Sequence, residues 1–297
     1  MRKSIAGLFF VLVFLAPGAF AQVNVLVGDV KETRRSDGFF NKLEVDIKVF
    51  GDLIAEVKGI RVNIARAVDG TGKNLIDPKQ SATSFDDVDT SDSESLKVTL
   101  ELKQAARRAI AVTEISGVLE LFVPGRDPAA TVTLADITKA QGQVRNAALT
   151  AGGVDVTVWN KQQYEAQRKT EEDRIKKQIE EKKKSGTPEE QAEIGEALAN
   201  GLMKIFGGLF NAMTDMGENG VALQVSDKQR KVIKIEFEDA EGKPLSSQGR
   251  TTMGSDPKTM IFDFSEKLPE TARIKVYLLT PRSVVKSPFR LSNVPLP

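Results

Sequence analysis

Cysteine and histidine are both absent from this sequence, and tryptophan and tyrosine occur only once and twice. Without cysteine there is no disulfide to staple a small fold and no thiol to carry a lipid, so an apolar core must hold the chain together. Without histidine, serine and cysteine nucleophiles lose their usual base and zinc loses both of its favoured ligands. A carboxylate pair or a Ser-Lys arrangement remains, but none of the 41 acidic side chains stands in a recognisable catalytic motif. The shortage of Trp and Tyr argues against a sugar-stacking cleft.

An excess of charge is missing as well. The first residues, "MRKSIAGLFFVLVFLAPGAFAQ", place Arg2 and Lys3 before an apolar run, then a Pro-Gly break and Ala19-Phe20-Ala21. This is the pattern of a secretory signal at 1–21 with cleavage before Gln22, its apolar run being too short for a bilayer span of roughly 20 residues. Its removal leaves 40 basic against 41 acidic side chains, which gives nucleic acid no electrostatic footprint. Export with neither disulfides nor any Asn-x-Ser/Thr site points to a bacterial envelope or secreted protein.

What the sequence does contain is period-2 alternation. Leu43, Val45, Ile47 and Val49 alternate with Glu44, Asp46 and Lys48, and Leu96, Val98, Leu100 and Leu102 with Lys97, Thr99 and Glu101. Further along, Ile233, Ile235 and Phe237 alternate with Lys234 and Glu236, and Ile274, Val276 and Leu278 with Lys275 and Tyr277. One dry and one wet face per strand is the signature of half-buried antiparallel sheets. Two stretches recur in the same order. "DGTGKNL" at 69–75 and "DAEGKPL" at 239–245 share D-x-x-G-K-x-L, a tight-turn pattern. Residues 119–137 align without a gap on 276–294, matching Leu121 with Leu278, Pro124 with Pro281 and Leu134 with Leu291. Both pairs point to a duplicated β module.

The segment "MIFDFSEKLPETARIKVYLLTP" at 260–281 resembles the strand–turn–strand crossing between sheets in fibronectin type III and related immunoglobulin-like domains, although Ala272 and Arg273 stand where such domains usually carry a tyrosine. The resemblance implies sandwich architecture and no particular function.

Between the alternating regions the composition changes. Residues 161–184 are highly charged, with Glu165–Lys169, Glu172–Lys176, Asp173–Lys177 and Glu180–Lys184 spaced for helical ion pairs and only Ile175 and Ile179 making an apolar pair. The segment reads as a solvated helical spacer or a polar linker. Thr187, Pro188 and Glu190 then form a capping box, followed by an apolar stripe through Ile194, Leu198, Leu202, Ile205, Leu209 and Met213. In "GLMKIFGGLFNAM", residues 201–213, that stripe widens. It either packs internally or contacts an envelope protein, a membrane surface or another copy of the chain, with Phe206, Leu209, Phe210 and Met213 as anchors.

The loop "SFDDVDTSDSESL" gathers Asp86, Asp87, Asp89 and Asp92, the only place where a cofactor, Ca²⁺, is suggested. Its spacing does not fit an EF-hand, and a solvated acidic loop is the plainer reading. The sequence thus predicts a mainly β fold with a helical insertion. It comprises two immunoglobulin-like antiparallel β-sandwich modules, at 22–159 and 220–297, joined at 160–219 by a charged helix and an amphipathic helix. The expected role is non-enzymatic: an exported binding, adaptor or envelope structural protein. The alternatives are a carboxylate-dependent hydrolase in the first module and a membrane-surface-associating protein acting through the apolar helix.

Overall fold

The computed structural model describes residues 23–35, 41–77, 84–88, 94–135, 137, 142–185, 215–251 and 256–297. The expected signal at 1–21 and the capped helix, with Phe206, Leu209, Phe210 and Met213, lie outside the described residues, as do Asp89 and Asp92.

The chain is mainly β, as its alternation requires. Along it run β1 (Asn24–Thr33), β2 (Lys42–Phe50), β3 (Gly59–Asp69), β4 (Asp86–Asp87), β5 (Ser95–Leu102) and β6 (Ala111–Phe122). These are followed by β7 (Thr131–Leu134), β8 (Gly142–Val144), the short helix α1 (Ala147–Gly152), β9 (Asp155–Asn160) and the long helix α2 (Lys161–Ser185). The remaining strands are β10 (Val221–Ser226), β11 (Val232–Glu238), β12 (Pro244–Leu245), β13 (Gln248–Thr251), β14 (Lys258–Asp263), β15 (Arg273–Leu278) and β16 (Val284–Pro295).

Four antiparallel sheets result, with strand orders β1-β2-β5, β16-β6-β3-β4, β12-β11-β15-β7 and β13-β14-β10-β9-β8. The first two share one core: Leu43, Val45, Ile47 and Val49 of β2 are fully buried in a cluster with Ile60, Ile115, Leu119 and Leu291. The other two share a second core, in which Val156, Val158 and Leu223 meet Phe237, Ile274 and Val276. The apolar faces predicted from alternation are thus buried between two sheets, with two exceptions: Asp46 on the charged face of β2 is itself buried, and a register shift at Val232–Lys234 turns Ile233 out of the second core.

The strands do not sort at 159 and 220. β7 belongs to the second unit, where Val132 lies opposite Val276 of β15. β16 belongs to the first, where it pairs with β6 along almost its whole length, from Val284 opposite Phe122 to Pro295 opposite Ala111. β9 is also in the second unit, between β8 and β10. Each unit therefore receives a strand from the other half of the chain, and the module boundaries expected from the sequence are corrected accordingly. The two crossings lie side by side: Val123 N–H donates to the Ser283 carbonyl at 2.7 Å, and the Thr280 hydroxyl donates to the Asp127 carboxylate at 2.7 Å. A third, small core seals the junction, with Phe122 edge-on to both Phe85 and Tyr277 and with Ala130 beneath.

The two D-x-x-G-K-x-L stretches fold alike. In each, the Asp N–H bonds the Lys carbonyl four residues on, and the Asp carboxylate accepts from the backbone N–H groups two and four residues on. Gly72 and Gly242 stand at φ +86° and +85°, the left-handed region in which a side chain would be strained.

α2 does form where charge spacing predicts it, but it does not join the two units. Asn160, at the end of β9, lies directly opposite Val221, at the start of β10, so residues 161–220 leave and rejoin one sheet at the same point. The expected linker is an excursion from the second unit, the two halves being joined instead at Val123–Ala130 and Leu279–Ser283. Asn160 and Gln163 cap the helix reciprocally, each side chain accepting from the other's backbone N–H. Twenty-five helical residues extend roughly 37 Å. Their base is fixed: Tyr164 and Met216 cover Ala222 and Ile261 on the outer face of the sheet, and Lys161 pairs with Glu218 at 2.5 Å.

Candidate functional site

Of the sequence-derived site residues, only Asp86 and Asp87 are among the described residues. Asp86 and Asp87 form β4 at the edge of a sheet, paired with Ile60 and Gly59. The Asp87 carboxylate is bound by Lys234 at 2.9 Å, so it meets a cation from the second unit. Among the described residues no group of three acidic side chains is placed to hold a metal ion. "LPETA" at 268–272 is the turn between β14 and β15, which lie in different sheets, and its Leu268 and Ala272 enter the second core.

A cleft of about 770 Å³ opens where the two units meet. One wall comes from the first unit: Arg61 on β3 lays its guanidinium 4.5 Å over the ring of Phe85, just before β4. Arg61 is fixed from behind by Glu120, which also binds Lys286. Burial pushes the Glu120 carboxyl up, but these two cations prevail and hold it below its ordinary value. The floor is apolar, from Ile233, Met260 and Leu279.

Lys234 joins the walls. Its ammonium reaches Asp87, Glu236 and the Val88 carbonyl, bridging β11 to β4. Burial disfavours the charge on Lys234, but the bonds and charges of Asp87 and Glu236 together outweigh it and raise its pKa. Burial likewise works against the Glu236 carboxylate; the Tyr277 hydroxyl at 2.7 Å, with Lys58 and Lys234, overcomes it and lowers the pKa. The phenol of Tyr277 is raised by burial and by that same bond.

The opposite wall is the turn between β10 and β11. Asp227 N–H donates to Asp256 at 2.5 Å, Ser226 Oγ donates to the same carboxylate at 2.8 Å, and Asp227 Oδ2 accepts from Val232 N–H at 2.7 Å. These bonds force a tight turn that places Arg230 at φ +54°, an uncommon conformation for a residue with a side chain. Arg230, Lys228 and Lys258 point charge at the cleft and have no hydrogen-bonded or ion-paired partner among the described residues. Asp256 is lowered in pKa first by Ser226, then by Asp227 N–H, with a smaller contribution from Lys228 and Lys258. Asp227 Oδ1 is buried and has no partner among the described residues.

Arg61 and Phe85 come from the first unit and residues 225–260 from the second, so no local motif marks this cleft. One signal was available: "DKQRK" at 227–231 concentrates three cations in a turn between strands. Comparison of the chain with protein-family models, with curated proteins and with solved structures returns no match to any of them, so its function is argued from this geometry alone.

Proposed function

We propose that this is a non-enzymatic exported binding or adaptor protein of the bacterial envelope, built from two duplicated immunoglobulin-like sandwiches that hold a ligand cleft between them. The observation that carries the reading is the strand exchange. The exchange joins the units by two chain crossings instead of one, bonded to each other at Val123 and Ser283, and the Lys234–Asp87 ion pair and the Phe122–Tyr277 ring contact hold the cleft walls together. A preorganised concave surface of this kind favours recognition. The two four-stranded sheets match in order, β16-β6-β3-β4 and β7-β15-β11-β12, each ending in an exchanged strand, and this supports the duplication, although three strands face the first sheet and five face the second.

Carboxylate-dependent hydrolysis is the competing reading for the first unit. A general acid needs a raised pKa. The buried acids there, Asp46, Asp69 and Glu120, are instead all lowered by cations, hydroxyls or N–H groups, which favours binding. Assays of residues 22–297 with chromogenic glycosides and esters are expected to show no turnover above buffer. Turnover that Glu120→Gln abolishes would move the assignment to the hydrolase.

A membrane or partner contact through Phe206, Leu209, Phe210 and Met213 is supported by a separate observation. The 161–220 excursion connects neighbouring strands that a tight turn could have joined. Replacing these four residues by Ser is expected to leave the thermal unfolding midpoint within about 2 °C, well under the 4–8 °C per kcal/mol scale of a small domain, and to abolish liposome co-sedimentation or self-association. A large fall in the midpoint would assign the segment to internal packing.

A further inference from the structure

Resting on the binding reading, we infer that the junction cleft takes an acidic peptide segment in extended form. Three exposed cations from the second unit, Lys228, Arg230 and Lys258, line it with no bonded partner among the described residues. The nearby carboxylates do not cancel them by contact, because Asp256 is bonded to Ser226 and Asp227 N–H, and one oxygen of Asp227 to Val232 N–H. This leaves a surplus of positive charge facing the cleft, which steers and holds an anion.

A bare anion does not satisfy the rest of the site. The floor of Ile233, Met260 and Leu279 calls for apolar surface. A peptide that alternates acidic and apolar side chains supplies both: carboxylates to the cations and apolar groups to the floor. In extended form its period-2 side chains separate the charged and apolar contacts. Arg61, already oriented over Phe85, is a further donor at the far wall.

The test uses the full mature chain and a fluorescein-labelled decapeptide of alternating Glu and Leu, followed by anisotropy and by amide shift mapping. Binding is expected to shift the amides of residues 227–235 and to weaken steeply with added salt. The triple change Lys228→Glu, Arg230→Glu and Lys258→Glu should raise Kd at least tenfold with unfolding unaltered. Arg230→Gly, which removes one cation while relieving the positive φ, should weaken binding without lowering stability. Unchanged affinity in the triple variant overturns the proposal. So does stronger cleft binding by an alternating Lys-Leu peptide, by inorganic phosphate or by a heparin oligosaccharide, although each of these would leave the cleft as a binding site. If no probe shifts the cleft amides, the binding reading falls together with the peptide.

Discussion

Expressed alone, residues 220–297 are expected to give a collapsed amide spectrum and no cooperative unfolding transition. This segment carries β10 to β16 but lacks β9 beside β10 and β7 beside β15. With them go Val132, Leu134, Leu149, Val154, Val156 and Val158, all in the second core. Burial of such side chains stabilises by roughly 2 kcal/mol each, and six of them outweigh the stability that a domain of this size holds. The fragment also exposes Phe289 and Leu291 of β16, which have no β6 to cover them. Residues 22–159 are expected to fail for the reciprocal reason, since β16 is missing, β7 has nothing to pair with and β9 keeps only β8. Mixing the two fragments is expected to restore dispersed signals.

Asp69→Ala is expected to cost about 4 kcal/mol, the largest effect of any single polar substitution in the first unit. The carboxylate is buried at 1% exposure and accepts from Thr71 N–H, Thr71 Oγ, Lys73 N–H and Ala106 N–H. It thereby ties the turn after β3 to the connection between β5 and β6, and its removal leaves several buried donors unmet. Burial alone would raise its pKa, but the four donors bring it down to about 2. A folded-state pKa below the unfolded value near 3.8 means that the contribution, about 2 kcal/mol, is fully present above pH 4. It is lost as the pH falls toward 2. Acid titration followed by urea unfolding should show that loss in the parent and not in Asp69→Ala. Asp239, which makes only the two turn bonds and is more exposed, should cost about 1 kcal/mol when changed to Ala.

Much of the local structure was legible because it depends on local chemistry. The alternation around Leu43–Val49 and Ile274–Leu278 fixes strand and face, D-x-x-G-K-x-L fixes the two turns, and the i,i+4 charge pairs fix α2. Partner choice is a different matter. Val132 and Leu134 in β7 and Phe289 and Leu291 in β16 present the same inward pattern, and either strand could lie against β6 or β15 with its apolar side chains inward. Period 2 specifies the face of a strand and is silent on its neighbour. The aligned Leu134 and Leu291 do occupy strands of the same kind, but opposite Ile274 and Ile115 respectively, in different units.

The charged helix was misplaced in the fold for a similar reason. A charge run between alternating regions looks like a spacer, and only the pairing of Asn160 with Val221 shows that its two ends meet. The cleft escaped notice because its walls are more than a hundred residues apart in the chain. The structure brings together a stacked arginine, an apolar floor, two cations on the β10–β11 turn and a third, Lys258, at the start of β14.

Cross-linking across the exchanged strands tests the central claim most directly, and the cysteine-free chain offers a clean background for it. Ser116 faces Arg290 across β6 and β16, and Thr133 faces Lys275 across β7 and β15, at separations that antiparallel neighbours share with disulfides. Under mild oxidation, the pair Ser116→Cys with Arg290→Cys and the pair Thr133→Cys with Lys275→Cys should each form an intramolecular bond quickly and in high yield. The pair Thr133→Cys with Val118→Cys, which would close a simple β6–β7 hairpin, should not. Rapid cross-linking of that last pair, with failure of the other two, would contradict the strand exchange.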